Sequence, residues 1–345
     1  MAGRTGGGPG SPDRRARGGP GRPEAAALRY AQHAGALRLA EQLAQRHGLD
    51  PAWVQQQIAQ ARHLPQVVRL MTPAPQGTNN WAVYRARFVE PVRLRAGLQF
   101  WREHRSSLAR AEAEFGVPAS LIVSVIGIET LYGRQLGGFR VIDALATLAF
   151  DFPASHPRAA ARSEFFKSEL GHYLSLTQRY GLDPQALRGS FAGAMGWPQF
   201  MPSSWVNFAV DFDRDGQVNL FDSPVDAIGS VANYFKAFGW QTGMPTHFPV
   251  TFDPTQIDKT TLLAPSVRPS FSVAQFHAHG ARLDTTAQQH SGELALIELK
   301  NGSNPSSFVA GTQNFYVITR YNQSSFYAMA VIELAQALQA GLAAP

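Results

Sequence analysis

The sequence contains no cysteine, which excludes disulfides, Cys-ligated zinc, a thiol nucleophile and a lipid carried on cysteine. It also has no apolar run of the roughly 20 residues that a membrane span needs. The longest uncharged apolar stretch, around residues 115 to 128, is shorter and contains Pro118. The start, MAGRTGGGPGSPDRRARGGPGRPEA, has no apolar segment; its Gly, Pro and Arg are expected to be disordered and do not read as a secretory signal. Arg4, Arg14, Arg15, Arg17 and Arg22 oppose only Asp13 there, so +4 of the net +6 belongs to residues 1 to 22 and +2 to the rest. No basic face interleaved with aromatics accompanies that charge, so nucleic acid is not an expected partner.

What is present is enough apolar material for a large core, 44% hydrophobic in 345 residues, a length that suits two or three structural units. From Ala25 to about His47 the apolar positions recur at helical spacing, with Gly48 placed as a C-terminal cap. Asp50 and Pro51 read as N-cap and first residue of a second helix. MTPAPQGTNN is a linker. A long helical stretch is expected over Ala82 to Phe115, then the helix holding Glu129, another from Ser163 to Tyr180, and a glycine-rich loop, GSFAGAMGWPQFMPSSW. From Pro245 to about Phe315 short alternating runs such as PSFSVAQFHAH and GELALIELK predict strands. His277 and His279 in HAH share one strand face there, but with no third ligand they read as an exposed strand. FYAMAVIELAQALQAGL returns to helix. The pattern predicts a mainly α protein (α+β) with a small β-rich insertion.

One acid stands out. The twelve residues from Val117 to Ile128 are apolar, glycine, serine or proline, and Glu129 follows them. A carboxylate packed inside such a helix has a raised pKa and suits a general acid; alternatively it emerges at the helix end and pairs with Arg134. Spacing leaves both open.

The segments GIETLYGRQLG, VIDALATLAFDFP, GSFAGAMGWPQFMPSSW and AVDFDRDGQVNLFDSPVDAIGSVANYF, in that order, resemble the membrane-bound lytic murein transglycosylase B family, glycoside hydrolase family 103, from about Gly35 to the C-terminus. The resemblance implies a lysozyme-like helical core over 86–244, a helical domain over 25–85 joined by a C-terminal helix (324–345), a small β-rich domain over 245–315 and a return segment from 316. It implies Glu129 as the only catalytic carboxylate of a peptidoglycan lytic transglycosylase, with the substrate's own C6 hydroxyl as nucleophile. Ordinary glycosidases need two carboxylates; here Asp143 is expected to cap or ion-pair. The rivals are a hydrolytic muramidase, using water, and a non-catalytic wall-binding protein.

By the same resemblance, Ser190 and Gln199 hydrogen-bond the glutamate or the sugar N-acetyl groups. Met195 joins them in the loop, where simple packing is the other reading. Tyr84, Tyr234, Tyr321, Asn322 and Tyr327 line the groove, tyrosine being suited to stack on a pyranose while its hydroxyl bonds a polar edge; Tyr321 and Asn322 are expected in a turn. FPASHPRAAARSEF departs from the family's short basic turn, with Arg158 and Arg162 as candidate replacements. Glycan strands, and possible contacts with other cell-wall enzymes, are the implied partners of a monomer in the periplasm.

DFDRDGQVNLFD sets Asp211, Asp213 and Asp215 at loop positions 1, 3 and 5, Gly216 at the turn, the Gln217 carbonyl at 7 and Asn219 at 9, the plan of an EF-hand-like Ca²⁺ loop. Position 12 holds Asp222, one methylene shorter than the usual Glu. The resemblance places the closing ligand at Asp226, in a loop over 211–226; Ser223, Pro224 and Asp226 also read as a capping box. A structural Ca²⁺ and no organic cofactor are expected.

Overall fold

A computed structural model describes residues 30–72 and 79–343; the arginine-bearing start and most of the linker lie outside them. α1 (Ala34–His47) ends at Gly48, whose φ of 66° is left-handed, a state glycine adopts without strain. Asp50 caps α2 (Pro51–Ala59) by accepting from the Trp53 N–H at 2.7 Å, and α3 (Pro65–Met71) follows.

The long helix expected over 82–115 is three helices, α4 (Trp81–Phe88), α5 (Pro91–Glu103) and α6 (Arg105–Phe115). Proline at 91 has no N–H to continue α4, and the Glu90 carboxylate instead caps a new start by accepting from the Val92 and Arg93 N–H groups. At His104 the backbone leaves helical geometry (φ −111°, ψ 23°) before α6. The chain then bends by 115° into α7 (Ala119–Thr130). All its residues except Glu129 are buried, which is why its sequence is apolar all round.

β1 (Phe139–Arg140) precedes α8 (Val141–Phe150) and α9 (Ala159–Arg179), and pairs antiparallel with β2 (Arg188–Gly189). That pairing delivers the glycine-rich loop to the C-terminal end of α7. α10 (Pro202–Phe208) and α11 (Pro224–Ala237) bracket the acidic loop.

The β-rich insertion is a four-stranded antiparallel sheet of β3 (His247–Phe252), β4 (Ala281–Leu283), β5 (Ala295–Asn301) and β6 (Asn304–Gly311), in the order β4-β3-β6-β5. It has its own small core, with Phe248, Leu262, Phe276 and Leu283. Two short helices pack against its edge strands, α12 (Lys259–Leu263) on β5 and α13 (Val273–Ala278) on β4. The strand expected around His277 is this second helix: Ser272 and Gln275 form a reciprocal capping box, a local signal that outweighs the alternation. His279, its cap, pairs with Asp258 at 3.3 Å.

α14 (Gln313–Tyr321) and α15 (Ser325–Ala343) close the chain. Tyr321 is the last residue of a helix, where a turn was expected, and Asn322 is its cap. By length and composition α15 could cross a membrane, contrary to the expectation of no such segment. Half of it is buried in the protein, against α4, α5 and α7, and Ser124 Oγ donates to its Val331 carbonyl at 2.7 Å. This is the packing of a core helix.

Candidate active site

Glu129 is the penultimate residue of α7. One side of the residue reaches solvent, while its carboxyl is ringed by protein, and desolvation pushes its pKa up to about 7. Opposing that rise, the Tyr327 hydroxyl donates to Glu129 Oε1 at 2.6 Å. A hydrogen bond to the ionised form lowers a carboxyl pKa, while burial raises it; burial wins. Among the described residues no cation pairs with Glu129. Arg134 is exposed, so the ion-pair reading of this acid is not realised.

The helix end is fixed by its next residues. Leu131, Tyr132 and Gly133 all have left-handed φ, at 48°, 58° and 79°. Two non-glycine residues in that region carry strain, and the surroundings hold them there. Thr130, fully buried, donates from Oγ1 to the Trp197 carbonyl at 3.0 Å and accepts from the Gly133 N–H at 3.1 Å. The Trp197 ring lies so close that a Cβ on Gly133 would stand 2.4 Å from it. Trp197 Nε1 in turn donates to the Phe221 carbonyl at 3.0 Å, and its N–H to Leu220 at 2.9 Å. The acid-bearing helix, the glycine-rich loop and the acidic loop are therefore one connected structure.

Aromatic side chains surround the carboxyl. Tyr327 and Tyr321 stack with centroids 6.3 Å apart and planes within 10°. The Tyr321 hydroxyl donates to the Pro198 carbonyl at 2.6 Å, and the Tyr234 hydroxyl to the Arg320 carbonyl at 2.7 Å. Tyr84, half-buried on α4, is held between Phe88 and Phe326, at 5.0 and 5.6 Å. Burial, and after it the charge of Glu129, raise its pKa. The fold thus brings Tyr84, Tyr234, Tyr321 and Tyr327 to one region.

The loop residues hydrogen-bond within the loop and its neighbours, and of the two expected partners the glutamate is not the one they meet. Ser190 Oγ accepts from the Ala192 and Ala194 N–H groups, at 3.2 and 3.0 Å. Gln199, at φ 51°, donates to the Gly196 carbonyl at 2.9 Å and to Leu136 at 3.3 Å. Both side chains brace the loop, and Glu129 accepts its hydrogen bond from Tyr327. Met195 is fully buried and bridges Gly189 and Phe200, so it forms floor and no ligand-facing surface. Asn322 caps α14 in extended conformation. Asp143 is buried and bound to Arg140 at 2.7 Å, the ion pair expected of it. Arg162 lies over Phe165 and Phe166, 5.1 Å from each centroid, packed on rings where an open basic contact was expected; Arg158 is exposed.

In the acidic loop, carboxylate oxygens of Asp211, Asp213 and Asp226 lie within 4.8 Å of one another. Asp226 is fully buried and accepts from the Phe212 and Asn219 N–H groups at 2.7 and 2.8 Å, with burial raising its pKa despite them. It is also the third helical residue after the Ser223 cap, whose Oγ accepts from its N–H at 3.1 Å. Asp222 instead meets Asn219 Nδ2 at 3.2 Å, and Asp215 caps the Gln217 N–H at 2.8 Å. Sequence reasoning did not single out Thr130 or Trp197. The only signal for them was their place, one directly after the acid and one amid the loop's glycines.

The family model described as transglycosylase SLT domain matches residues 32–336. The membrane-bound lytic murein transglycosylase B of Escherichia coli (strain K12) is 39% identical over 326 residues, 90% of this chain and 84% of that protein. The crystal structure of a soluble lytic transglycosylase from Pseudomonas aeruginosa is 37% identical, with a TM-score of 0.80 over 90% of this chain and 100% of that one. An Escherichia coli lytic transglycosylase solved in complex with calcium is 39% identical, with a TM-score of 0.76 over 90% of this chain and 95% of that one.

Proposed function

Because the chain belongs to the transglycosylase SLT domain family, we propose that Glu129 is its single catalytic carboxylate and that the product is a 1,6-anhydromuramoyl end. The protein is a lytic murein transglycosylase, an enzyme with a lysozyme-like fold. One observation carries the proposal: a carboxyl whose pKa is about 7 is substantially protonated at neutral pH and able both to give and to take a proton.

The steps balance without water. Glu129 gives its proton to the glycosidic oxygen between N-acetylmuramic acid and N-acetylglucosamine. The bond from muramoyl C1 to that oxygen breaks, leaving N-acetylglucosamine with a free 4-hydroxyl. The muramoyl 6-hydroxyl attacks C1, and its proton passes to Glu129, restoring the acid. Tyr327 orients the carboxyl and stabilises its ionised form between the two transfers. Tyr84, Tyr321 and Asn322 offer stacking and polar edges to the sugars. The rigid loop of Ser190 and Gln199 forms the adjoining wall.

The acidic loop holds a structural Ca²⁺ in this reading. Its three converging carboxylates are the hard oxygen donors that cation prefers, and Asp226, in place of Asp222, closes the set. The ion supplies charge balance to a buried carboxylate. The site of action is the cell wall, since murein is the substrate, and the periplasm is its compartment.

Digestion of purified murein by wild type and Glu129→Gln, with products read by mass spectrometry, tests this. Anhydromuramoyl products are expected from wild type alone. Reducing-end muramic acid from wild type would replace the C6 hydroxyl with water, making the enzyme a hydrolase.

A further inference from the structure

We propose that the tip of the β5–β6 hairpin and the asparagine it meets, Asn80, are positioning residues for the reaction: they fix the start of α4 and with it Tyr84, one wall of the groove beside Glu129. This rests on the murein-cleaving reading above, in which Tyr84 meets the sugars.

α4 has eight residues, too few to make a stable helix in water by itself, so its place is set by what holds it. Trp81, Tyr84 and Phe88 recur at helical spacing and form its inner side, Trp81 buried and the other two half-buried. Trp81 and Tyr84 each meet Phe326 of α15, at 5.7 and 5.6 Å. The C-terminal end is tied by Arg93, whose Nη1 donates to the Arg87 carbonyl at 2.7 Å while its Nε donates to the Gly127 carbonyl of α7 at 3.0 Å. One guanidinium thus joins the Tyr84 helix to the helix that carries Glu129.

The N-terminal end is tied by the β-rich insertion. Along β5, Ala295, Ile297 and Leu299 enter the main core while Leu296 enters the sheet's own, as the alternation of a strand requires, so this strand is seated on both. Beyond Leu299 its register with β6 shifts, and Asn301 forms an antiparallel bridge with Asn80. The Gly302 N–H donates to the Asn79 carbonyl at 3.0 Å. Asn301 Nδ2 keeps the hairpin turn closed by donating to the Pro305 carbonyl at 3.0 Å and to Ser307 Oγ at 3.2 Å. At Gly302 the backbone is left-handed, φ 63°, and a Cβ would stand 3.3 Å from Asn80 Nδ2, a conformation and a closeness that suit glycine.

Asn80 passes this hold to Tyr84. Its Oδ1 accepts from the Val83 N–H at 3.3 Å, and its carbonyl accepts from the Tyr84 N–H at 3.0 Å. Tyr84 in turn is near enough to Glu129 to feel its charge. The insertion acts as a strut that runs from the main core to the first turn of the Tyr84 helix.

The test measures kcat and KM on soluble murein glycan strands for Asn80→Ala, Asn80→Ser and Gly302→Val, each alone and combined with Tyr84→Ala. Asn80→Ala removes the helix cap and Asn80→Ser keeps one, while Gly302→Val puts a β-branched side chain where the backbone is left-handed. The binding wall shifts and the acid stays, so KM is expected to rise about tenfold in Asn80→Ala and in Gly302→Val, as in Tyr84→Ala, the loss of one ring against a sugar. The kcat per folded molecule and the pH at which kcat falls are expected to stay those of wild type, and Asn80→Ser to match wild type throughout. Combined with Tyr84→Ala, neither Asn80→Ala nor Gly302→Val should raise KM further, since coupled sites are not additive. A KM rise that persists in the Tyr84→Ala background, a wild-type KM in either single variant, or a wild-type KM in Tyr84→Ala itself would overturn the positioning role while leaving transglycosylase activity standing. Failure of wild type to cut the strands would instead overturn the enzymatic reading on which that role depends.

Discussion

The Tyr327 hydroxyl donates a 2.6 Å hydrogen bond to Glu129 Oε1 across 198 positions of sequence. The carboxyl is therefore under two opposed influences, burial favouring its neutral form and this phenol favouring its anion. Removing the phenol's hydroxyl separates them. In Tyr327→Phe the pKa of Glu129 rises above its present value of about 7. The alkaline limb of kcat/KM, which in wild type falls above about pH 7, then moves to higher pH. Orientation is lost as well, and kcat drops roughly ten- to a hundredfold, as expected for a hydrogen bond to a charged group. A pH–rate profile that does not shift would remove Tyr327 from control of the acid.

Glu129 also links stability to pH. Its folded pKa of about 7 lies above the ordinary 4.5, so between those values the unfolded chain holds fewer protons than the folded one. Stability from this group is then fully present below about pH 4.5 and declines as pH rises through 7. Glu129→Gln removes the dependence. It is expected to melt higher than wild type at pH 8, with a stability gain of about 1–3 kcal/mol after allowance for the solvent-facing side, the gap closing by pH 4. Equal melting temperatures at pH 8 would show that the carboxyl is not desolvated.

The acidic loop makes a separable prediction. Titration of Ca²⁺ into chelator-treated protein should raise the melting temperature, the gain in stability reaching about 2.7 kcal/mol at a hundredfold excess over Kd. Asp226→Asn keeps the shape of the side chain but loses its charge, and its melting should become insensitive to Ca²⁺. Asp222→Asn should respond as wild type does. The reverse pattern would make Asp222 the closing ligand.

Thr130 is expected to be a positioning residue. Thr130→Val leaves the Trp197 carbonyl and the Gly133 N–H unpaired in a buried place, at about 1–3 kcal/mol each. Loss of the strained turn frees the Glu129 side chain, so kcat falls more than KM rises, and Thr130→Ser restores both stability and rate. A variant that is destabilised but keeps wild-type kcat per folded molecule confines Thr130 to a structural role.

The acidic loop and the acid-bearing helix are joined in the same way, since Trp197 contacts Thr130 on one side and the Leu220–Phe221 backbone on the other. Through Trp197 the acidic loop buttresses the turn that follows Glu129.

Much of this was written locally in the sequence. The apolar run before Glu129 specified a buried helix with an acid at its end, Asp50–Pro51 and Gly48 marked a helix start and stop, and the spacing of Asp211 and Asp213 marked a loop of converging oxygens. These are short-range matters of periodicity, capping and turn chemistry. Where two local signals competed, the wrong one could be chosen: Pro91 and the Glu90 cap divided a continuous helical pattern, and the Ser272–Gln275 box made a helix of an alternating run. What only the tertiary structure decided is which distant groups meet. Tyr327 against Glu129, Trp197 against Thr130, and Asp226 with Asp211 all follow from how helices and loops pack. The approach of side chains from separate elements is set by the shape of the whole core, and no local period records it.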